Sequence, residues 1–328
     1  MTTEPLAVSH VGAPHVGAPH VGRAAGAGPA PASVPLDLAP PVLGSLSPSR
    51  AGDFMTCPLL FRYRTIDRLP STPSPAATRG TVVHAVLERL YDLPALERTL
   101  EAAASLVQPE WERLLETEPA CGELFDDEAA LTTWLGSARD LLAGYFSLED
   151  PTRLEPAERE RLVEVVLPGG LRLRGIVDRL DEAPSGELRI VDYKTGRAPG
   201  EMFEGKALFQ MKFYALVLWR TRGVVPSLLQ LMYLGDREVL RYSPDEADLL
   251  AVERKLLALW AAIETATARR EFLPRPSKLC GWCDHQALCP SFGGTPPPFP
   301  EVVPGPGEPL PHQRAAVEAQ RARQASST

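Results

Sequence analysis

Gly175-Ile176-Val177-Asp178-Arg179-Leu180-Asp181 and Ile190-Val191-Asp192-Tyr193-Lys194-Thr195-Gly196 are the two stretches that decide the fold of this chain. Each runs through apolar residues into an acid, and the Pro184-Ser185-Gly186 turn between them folds one strand back on the other. Upstream, Leu162-Val163-Glu164-Val165-Val166-Leu167 and a Pro168-Gly169-Gly170 turn add a further strand. Residues 161–193 therefore read as a three-stranded antiparallel meander. Residues two apart on a strand share a face, so Asp192 and Lys194 point the same way. Asp192 ends the run Leu188-Arg189-Ile190-Val191, at the mouth of a buried strand, where a carboxylate is costly unless a cation accompanies it. A lone D-x-K tripeptide is usually an exposed ion pair; this one is set apart by its position. Two carboxylates from neighbouring strands can hold Mg²⁺ or Mn²⁺, while an adjacent ammonium orients water and offsets phosphate charge.

Outward from the meander the period changes. From Ser47 to about Leu148 the pattern is helical, with Val82, Val83, Val86, Leu87 and Leu90 on one stretch and Leu131, Trp134, Leu135, Leu141, Leu142 and Tyr145 on another. After the meander come a helix from about Met202 to Arg222, a strand over Leu228 to Leu234 and a long helix from about Pro244 to Phe272. This order predicts an α/β fold with a mixed β-sheet core flanked by helices and an N-terminal helical lobe. The 34 prolines crowd the ends of the 328-residue chain. A five-residue unit, His10-Val11-Gly12-Ala13-Pro14, repeats at His15 to Pro19. Residues 1–45 thus read as a disordered Pro/Gly/His-rich tail and residues 291–328 as a flexible Pro-rich tail, leaving one domain over 46–290.

The balance of 44% hydrophobic to 23% charged residues is that of a globular domain and excludes collagen-like and disulfide-scaffold classes. No run approaches the roughly 20 apolar residues of a membrane span, and the N-terminus lacks the basic-then-apolar order of a secretory signal. A cytoplasmic protein without a membrane partner is expected. A net charge of -8 excludes nucleic-acid binding by bulk attraction, but not by a local basic groove. Arg50, Arg62, Arg64, Arg68 and Arg79 against Asp53 and Asp67 make such a basic rim. Gly200 to Lys206 matches a phosphate-loop spacing, but Ala207 stands where Ser or Thr must meet Mg²⁺.

These motifs resemble the RecB-type exonuclease family of the PD-(D/E)xK nuclease superfamily over residues 45–290. Arg79-Gly80-Thr81-Val82-Val83-His84 is similar to the family's first motif, Gly175 to Asp178 to its second, Asp192-Tyr193-Lys194-Thr195-Gly196 to its third and Gln210 to Tyr214 to its Q-x-x-x-Y motif. The resemblance implies a restriction-endonuclease-like core and an Mg²⁺- or Mn²⁺-dependent exodeoxyribonuclease acting on single-stranded DNA ends in repair or recombination. It also implies metal ligation by His84, Asp178, Asp192 and the Tyr193 carbonyl, with Lys194 serving the water and Gln210 and Tyr214 lining the DNA path. A non-catalytic DNA-binding subunit with a vestigial site is the alternative. Any translocase would be a partner, such as a helicase, since no motor motif is present.

Cysteines give an independent signal. Cys280, Cys283 and Cys289 form C-x₂-C-x₅-C, Cys57 stands far upstream before Pro58, and Cys121 is left over. In a reducing compartment, clustered thiols point to metal, either zinc, with His285 as a substitute ligand, or a four-iron four-sulfur cluster. The resemblance favours the cluster: its iron-sulfur branch, including the AddB nuclease domain and the CRISPR-adaptation nucleases, places one cysteine before the nuclease motifs and three after. Zinc makes the chain a stapled structural protein. Cys121 reads as a small buried hydrophobe.

Overall fold

The computed structural model describes residues 45–198, 200 and 204–300, apart from the side chains of Glu204 and Lys206. Residues 1–44 and 301–328, which make up most of the tails expected at 1–45 and 291–328, and part of the phosphate-loop look-alike lie outside the described residues.

Strand β1 (Ser45–Leu46) leads into helices α1 (Pro48–Thr56), α2 (Pro58–Phe61), α3 (Pro75–Leu90), α4 (Leu100–Thr117) and α5 (Glu128–Leu148). Their starts are written in the sequence. Ser47 and Ser74 cap α1 and α3, each followed by a proline, and Thr99 and Asp127 cap α4 and α5. The meander follows as β2 (Glu158–Val166), β3 (Arg172–Glu182) and β4 (Leu188–Lys194), then α6 (Glu204–Arg222), β5 (Leu228–Tyr233), β6 (Glu238–Tyr242) and α7 (Glu246–Arg269). Three short 3-10 turns, Lys278–Trp282, Gln286–Leu288 and Pro290–Phe292, carry the late cysteines.

The expected meander and mixed sheet are present. β4 pairs antiparallel with β3 and parallel with β5, which α6 joins by a crossover. β1, parallel to β3, and β6, antiparallel to β5, extend the sheet to six strands beyond those expected from the sequence. Alternation along β4 and β5 divides the core. Ile190, Leu229, Leu231 and Tyr233 face one cluster, with α1, α2, α6 and α7; Val191, Tyr193, Met232 and Leu234 face the other, with α3, α4 and α5. None of the helices among the described residues is long and apolar enough to cross a membrane.

One edge of β3 is forked. β2 runs along the other edge from Arg172 to Leu180, whereas β1 takes only Arg172 and Leu173 of the forked edge and β4 only Arg179 to Glu182. Between them, around Gly175 to Asp178, β3 and β4 diverge and leave an opening in the sheet. A Cβ on Gly175 would lie 2.6 Å from a ring carbon of Tyr214, so only glycine lets α6 close over this opening.

Residues 291–300, expected as the start of a flexible tail, instead pack on the domain. Phe299 stacks on Phe272 with ring centroids 6.1 Å apart, and Arg62 lies over the Phe299 ring while donating to the Pro297 carbonyl. Proline content hid an aromatic anchor.

Gly144 marks the tightest helix-to-sheet approach. A Cβ there would stand 1.9 Å from the Leu234 carbonyl oxygen. Gly144→Ala should therefore lower stability by at least about 1–3 kcal/mol, the usual range for overpacking, read as a shift in the chemical-denaturation midpoint at unchanged slope.

Candidate active site

The opening beside β3 collects the predicted site residues. Asp178 ends the apolar part of β3 just where the ladder to β4 stops, and its Oδ2 accepts the Tyr193 N–H at 2.8 Å in place of a backbone partner. His84, one helical turn before Leu87 and Glu88 on α3, approaches the same point. Its Nε2 lies 2.8 Å from the Tyr193 carbonyl oxygen and its Nδ1 3.3 Å from Asp178 Oδ2. Asp192 and Lys194 share a face, as the strand period requires, and pair at 2.6 Å. Gln210 on α6 closes this side: its amide donates to Asp192 Oδ1 at 2.9 Å and to the Tyr214 hydroxyl at 3.1 Å, and its oxygen accepts from Lys194 at 3.0 Å. Tyr214 is buried against Gly175, so its ring is part of the wall.

Glu160 completes the cluster and has no counterpart in the sequence reading. The β2–β3 register sets it directly opposite Asp178, yet the pairing skips this position because Glu160 has φ of 43°. A left-handed backbone is unfavourable for a residue with a Cβ, and it persists where the surrounding structure holds it in place. Here it aims the carboxylate inward, with Oε1 3.9 Å from His84 Nδ1. Among the described residues, His84, Glu160 and Asp178 are the group whose ligand atoms all fall within 4.8 Å of one another. Asp192 stands outside that tight group, tied to Lys194 and Gln210.

Electrostatics follow from burial and mutual repulsion. Burial, then the Asp178 charge, pushes Asp192 up to about 6 and Glu160 up to about 8. Burial also opposes ionisation of Asp178, but the adjacent His84 outweighs it and holds this carboxyl below its ordinary range. For His84, burial disfavours the imidazolium, while Asp178 and Glu160 together raise it to about 9. Burial likewise opposes the Lys194 charge, and the two aspartates override it. Two acids and one imidazole around a single point, with Asp192 beside them, are a hard, oxygen-rich donor set suited to Mg²⁺ or Mn²⁺. Asp192 Oδ2 is buried and meets the Lys194 ammonium at 2.6 Å, while its Oδ1 takes the Gln210 amide.

Behind the site, Arg179 is fully buried. It donates to Glu149 at 2.7 and 2.9 Å, to the Tyr91 hydroxyl at 3.0 Å and to the Tyr193 hydroxyl at 2.9 Å, fixing the residue whose backbone meets both His84 and Asp178. The cluster opens into a cleft of about 1290 Å³ between the helical lobe and the α1, α6 and α7 side, lined among others by His84, Asp178, Lys194, Gln210 and Tyr214.

The expected basic rim is largely spent internally. Arg62 is buried and pairs with Asp67 at 3.0 Å, Arg64 pairs with Asp53 at 2.9 Å, Arg50 donates to the Ser45 carbonyl and Arg79 to Ser137. Arginine donors near helix ends found protein partners before solvent.

The cysteines fall into two places. Cys57, Cys280, Cys283 and Cys289 are half-buried and line one small cavity of about 60 Å³ with Tyr63 and His285. The Arg275 N–H points at Cys57 Sγ and the Ser277 N–H at Cys280 Sγ, both at 3.3 Å. Cys121 is buried in the other core cluster beside Thr78.

With this geometry in hand, the family match has a structural meaning. A PD-(D/E)XK nuclease superfamily model matches residues 45–290, and the chain belongs to that superfamily. Its six-stranded mixed sheet flanked by helices is the restriction-endonuclease-like arrangement of that group. The gene 69 protein of Mycobacterium phage D29 is 26% identical over 269 residues, and that of Mycobacterium phage L5 is 24% identical over 293 residues. Each match covers 75% of this chain and 96% of the relative. A crystal structure of a provisionally assigned exonuclease from Eubacterium rectale aligns with a TM-score of 0.49 and 13% identity, over 74% of this chain and 87% of that one.

The raised Glu160 carboxyl makes a stability prediction for the cation-free protein. Its ordinary value is 4.5 and its folded value about 8, so its ionisation costs the fold progressively more as pH rises between the two. Glu160→Gln, melted in the presence of a chelator, should exceed the wild-type Tm above the folded value of about 8, and that gain should vanish below 4.5.

Proposed function

We propose that this protein is a divalent-metal-dependent exodeoxyribonuclease of the RecB type, hydrolysing phosphodiester bonds at single-stranded DNA ends. The observation that carries the reading is the convergence of His84, Glu160 and Asp178 with the Asp192–Lys194 pair at the floor of one cleft. A bound Mg²⁺ or Mn²⁺ would supply Lewis acidity and lower the pKa of an attacking water. His84, Asp178, Asp192 and the Tyr193 carbonyl, joined by Glu160, would hold it. Lys194 holds its proton between Asp192 and Gln210, placed to orient water and to meet the charge that develops on phosphate. Gln210 keeps the Asp192 carboxylate and the Lys194 ammonium in register, and Tyr214 braces Gln210. A role in DNA repair or recombination, with a helicase as partner in the cytoplasm, fits this chemistry.

Asp192→Ala or Lys194→Ala should abolish release of nucleotides from end-labelled single strands while the far-ultraviolet spectrum stays near wild type. Undiminished cleavage by either variant would remove the proposed site. Mg²⁺ or Mn²⁺ should support the reaction and Ca²⁺ should not, because Ca²⁺ takes more ligands at longer distances.

The cysteine cavity belongs, on the same reading, to the iron-sulfur branch. Four thiols around one space fit a four-iron four-sulfur cluster, and backbone N–H groups aimed at two sulfurs are the donors such thiolates use. The order of one cysteine before the nuclease motifs and three after them, as in the iron-sulfur branch that the chain resembles, favours the cluster over zinc. Cys57→Ala or Cys283→Ala should give colourless, protease-sensitive protein, and Cys121→Ser should keep the brown colour of the anaerobically purified wild type, checked by its spectrum and iron content.

A further inference from the structure

The cleft has two unlike ends. Where it meets the helical lobe, its wall carries Glu88, Glu110, Glu116 and Glu118 against Arg89 and Arg113, and both arginines are committed to Glu110. That end is net negative. On the opposite side, the wall is formed by Phe209 on α6, Lys255 on α7 and Ser277 with Leu279 on the cysteine segment. Lys255 sits over the Phe209 ring, its ammonium 4.9 Å from the ring centroid. This cation–π seat holds a flexible lysine against the cleft wall with its charge still facing outward.

One step further out stands Trp282, 87% exposed, and Leu279 beside the cleft is 52% exposed. Both belong to the 3-10 turn Lys278–Trp282, in which residues three apart eclipse one another. Leu279 and Trp282 therefore stand on one edge of that turn and continue the cleft wall beyond its mouth. A largely exposed tryptophan leaves a broad apolar ring in water with no packing return, and aromatic faces are what unstacked bases occupy. The cleft also exceeds the roughly 300–1,000 Å³ usual for small-molecule sites, as a polymer would need.

We propose that a single-stranded nucleic acid enters over this rim, with a base stacked on Trp282 against Leu279 and a phosphate met by Lys255, and that the acidic wall beyond His84 ends its path. The inference rests on the nuclease reading above and adds a direction to it. The strand reaches the cation site from the α7 side, and its continuation past the site would bring phosphates against Glu116 and Glu118. An arriving terminus avoids that repulsion; the interior of a strand does not.

The test is binding of a fluorescein-labelled oligodeoxythymidylate to the full chain in chelator, across a salt series. Trp282→Ala should weaken binding about tenfold, the scale of one lost base stack, with an unchanged salt slope. Trp282→Phe should recover most of the loss. Lys255→Ala should reduce the slope of log affinity against log salt by about 0.7, one phosphate of a single strand. Because Trp282 is exposed, its variants should keep the wild-type Tm and the colour of the cysteine site. A blunt duplex probe should be indifferent to Trp282→Ala. If both alanine variants bind the single strand within twofold of wild type, or the duplex suffers equally, the rim is not the entry. Cleavage retained alongside that result would overturn the rim alone, whereas wild-type protein with no affinity for any strand would overturn the nuclease reading with it.

Discussion

Asp178 and Asp192 stand on neighbouring strands, Asp192 buried and Asp178 only a tenth exposed at the cleft floor, and Glu160 faces Asp178 from the third. Negative charges so placed repel one another and forfeit their hydration, at a cost of several kcal/mol per ion unless cations and hydrogen bonds compensate. In the cation-free protein the compensation comes from protons. His84 carries one against Asp178 and Glu160, Lys194 carries another against Asp192, and Glu160 retains its own up to about 8. A divalent cation would replace these protons with fixed charge, so cation binding and proton release are coupled at this point.

The fold is arranged to hold that repulsion in place. The forked edge of β3 creates the opening, Gly175 lets Tyr214 roof it, and the Tyr193 backbone gives its N–H to Asp178 and its carbonyl to His84. Tyr193 is in turn fixed through its hydroxyl by Arg179, itself neutralised by Glu149 and Asp181. The result is a second ionic layer beneath the first, opposite in organisation, with one buried cation among several acceptors. Such a layer keeps strands β3 and β4 from sliding, since a one-residue slip would expose the acids and bury uncompensated partners.

Much of this was legible because it depends on short-range rules. The D-x-K pair needs only the strand period and the meander only its Pro-Gly turns, whereas His84, whose helical phase alone suits a core histidine, stood out through its resemblance to the family's first motif. What escaped depends on partners distant in sequence. Glu160, in Arg159-Glu160-Arg161, reads as a polar strand residue until the register with β3 and a left-handed backbone turn it inward. The two-residue β1 has no pattern of its own and exists because β3 offers it an edge. Phe299 lay among prolines, and the arginines near α1 and α2 looked free because their acceptors, Asp67, Asp53 and backbone carbonyls, are matters of tertiary placement. Tyr214 shares the cleft with Gln210 as its spacing foretold, but Gly175 draws its ring into the wall.

The cavity shared by Cys57 and the late cysteines also sets a timetable. During synthesis, α1 and α2 leave the ribosome with one wall of that cavity, and the 222 residues between Cys57 and Cys280 must follow before the other wall arrives. At roughly 5–20 residues per second, that interval is on the order of 10–45 s. Throughout it Phe61 waits for Phe272, Tyr63 for His285 and the Leu288 carbonyl, and Cys57 remains a lone thiol. The helical lobe built on α3 to α5 can consolidate in the meantime; the first helices cannot. The first of the described helices are thus among the last elements to reach their native surroundings, and chaperones and oxidants meet them before that.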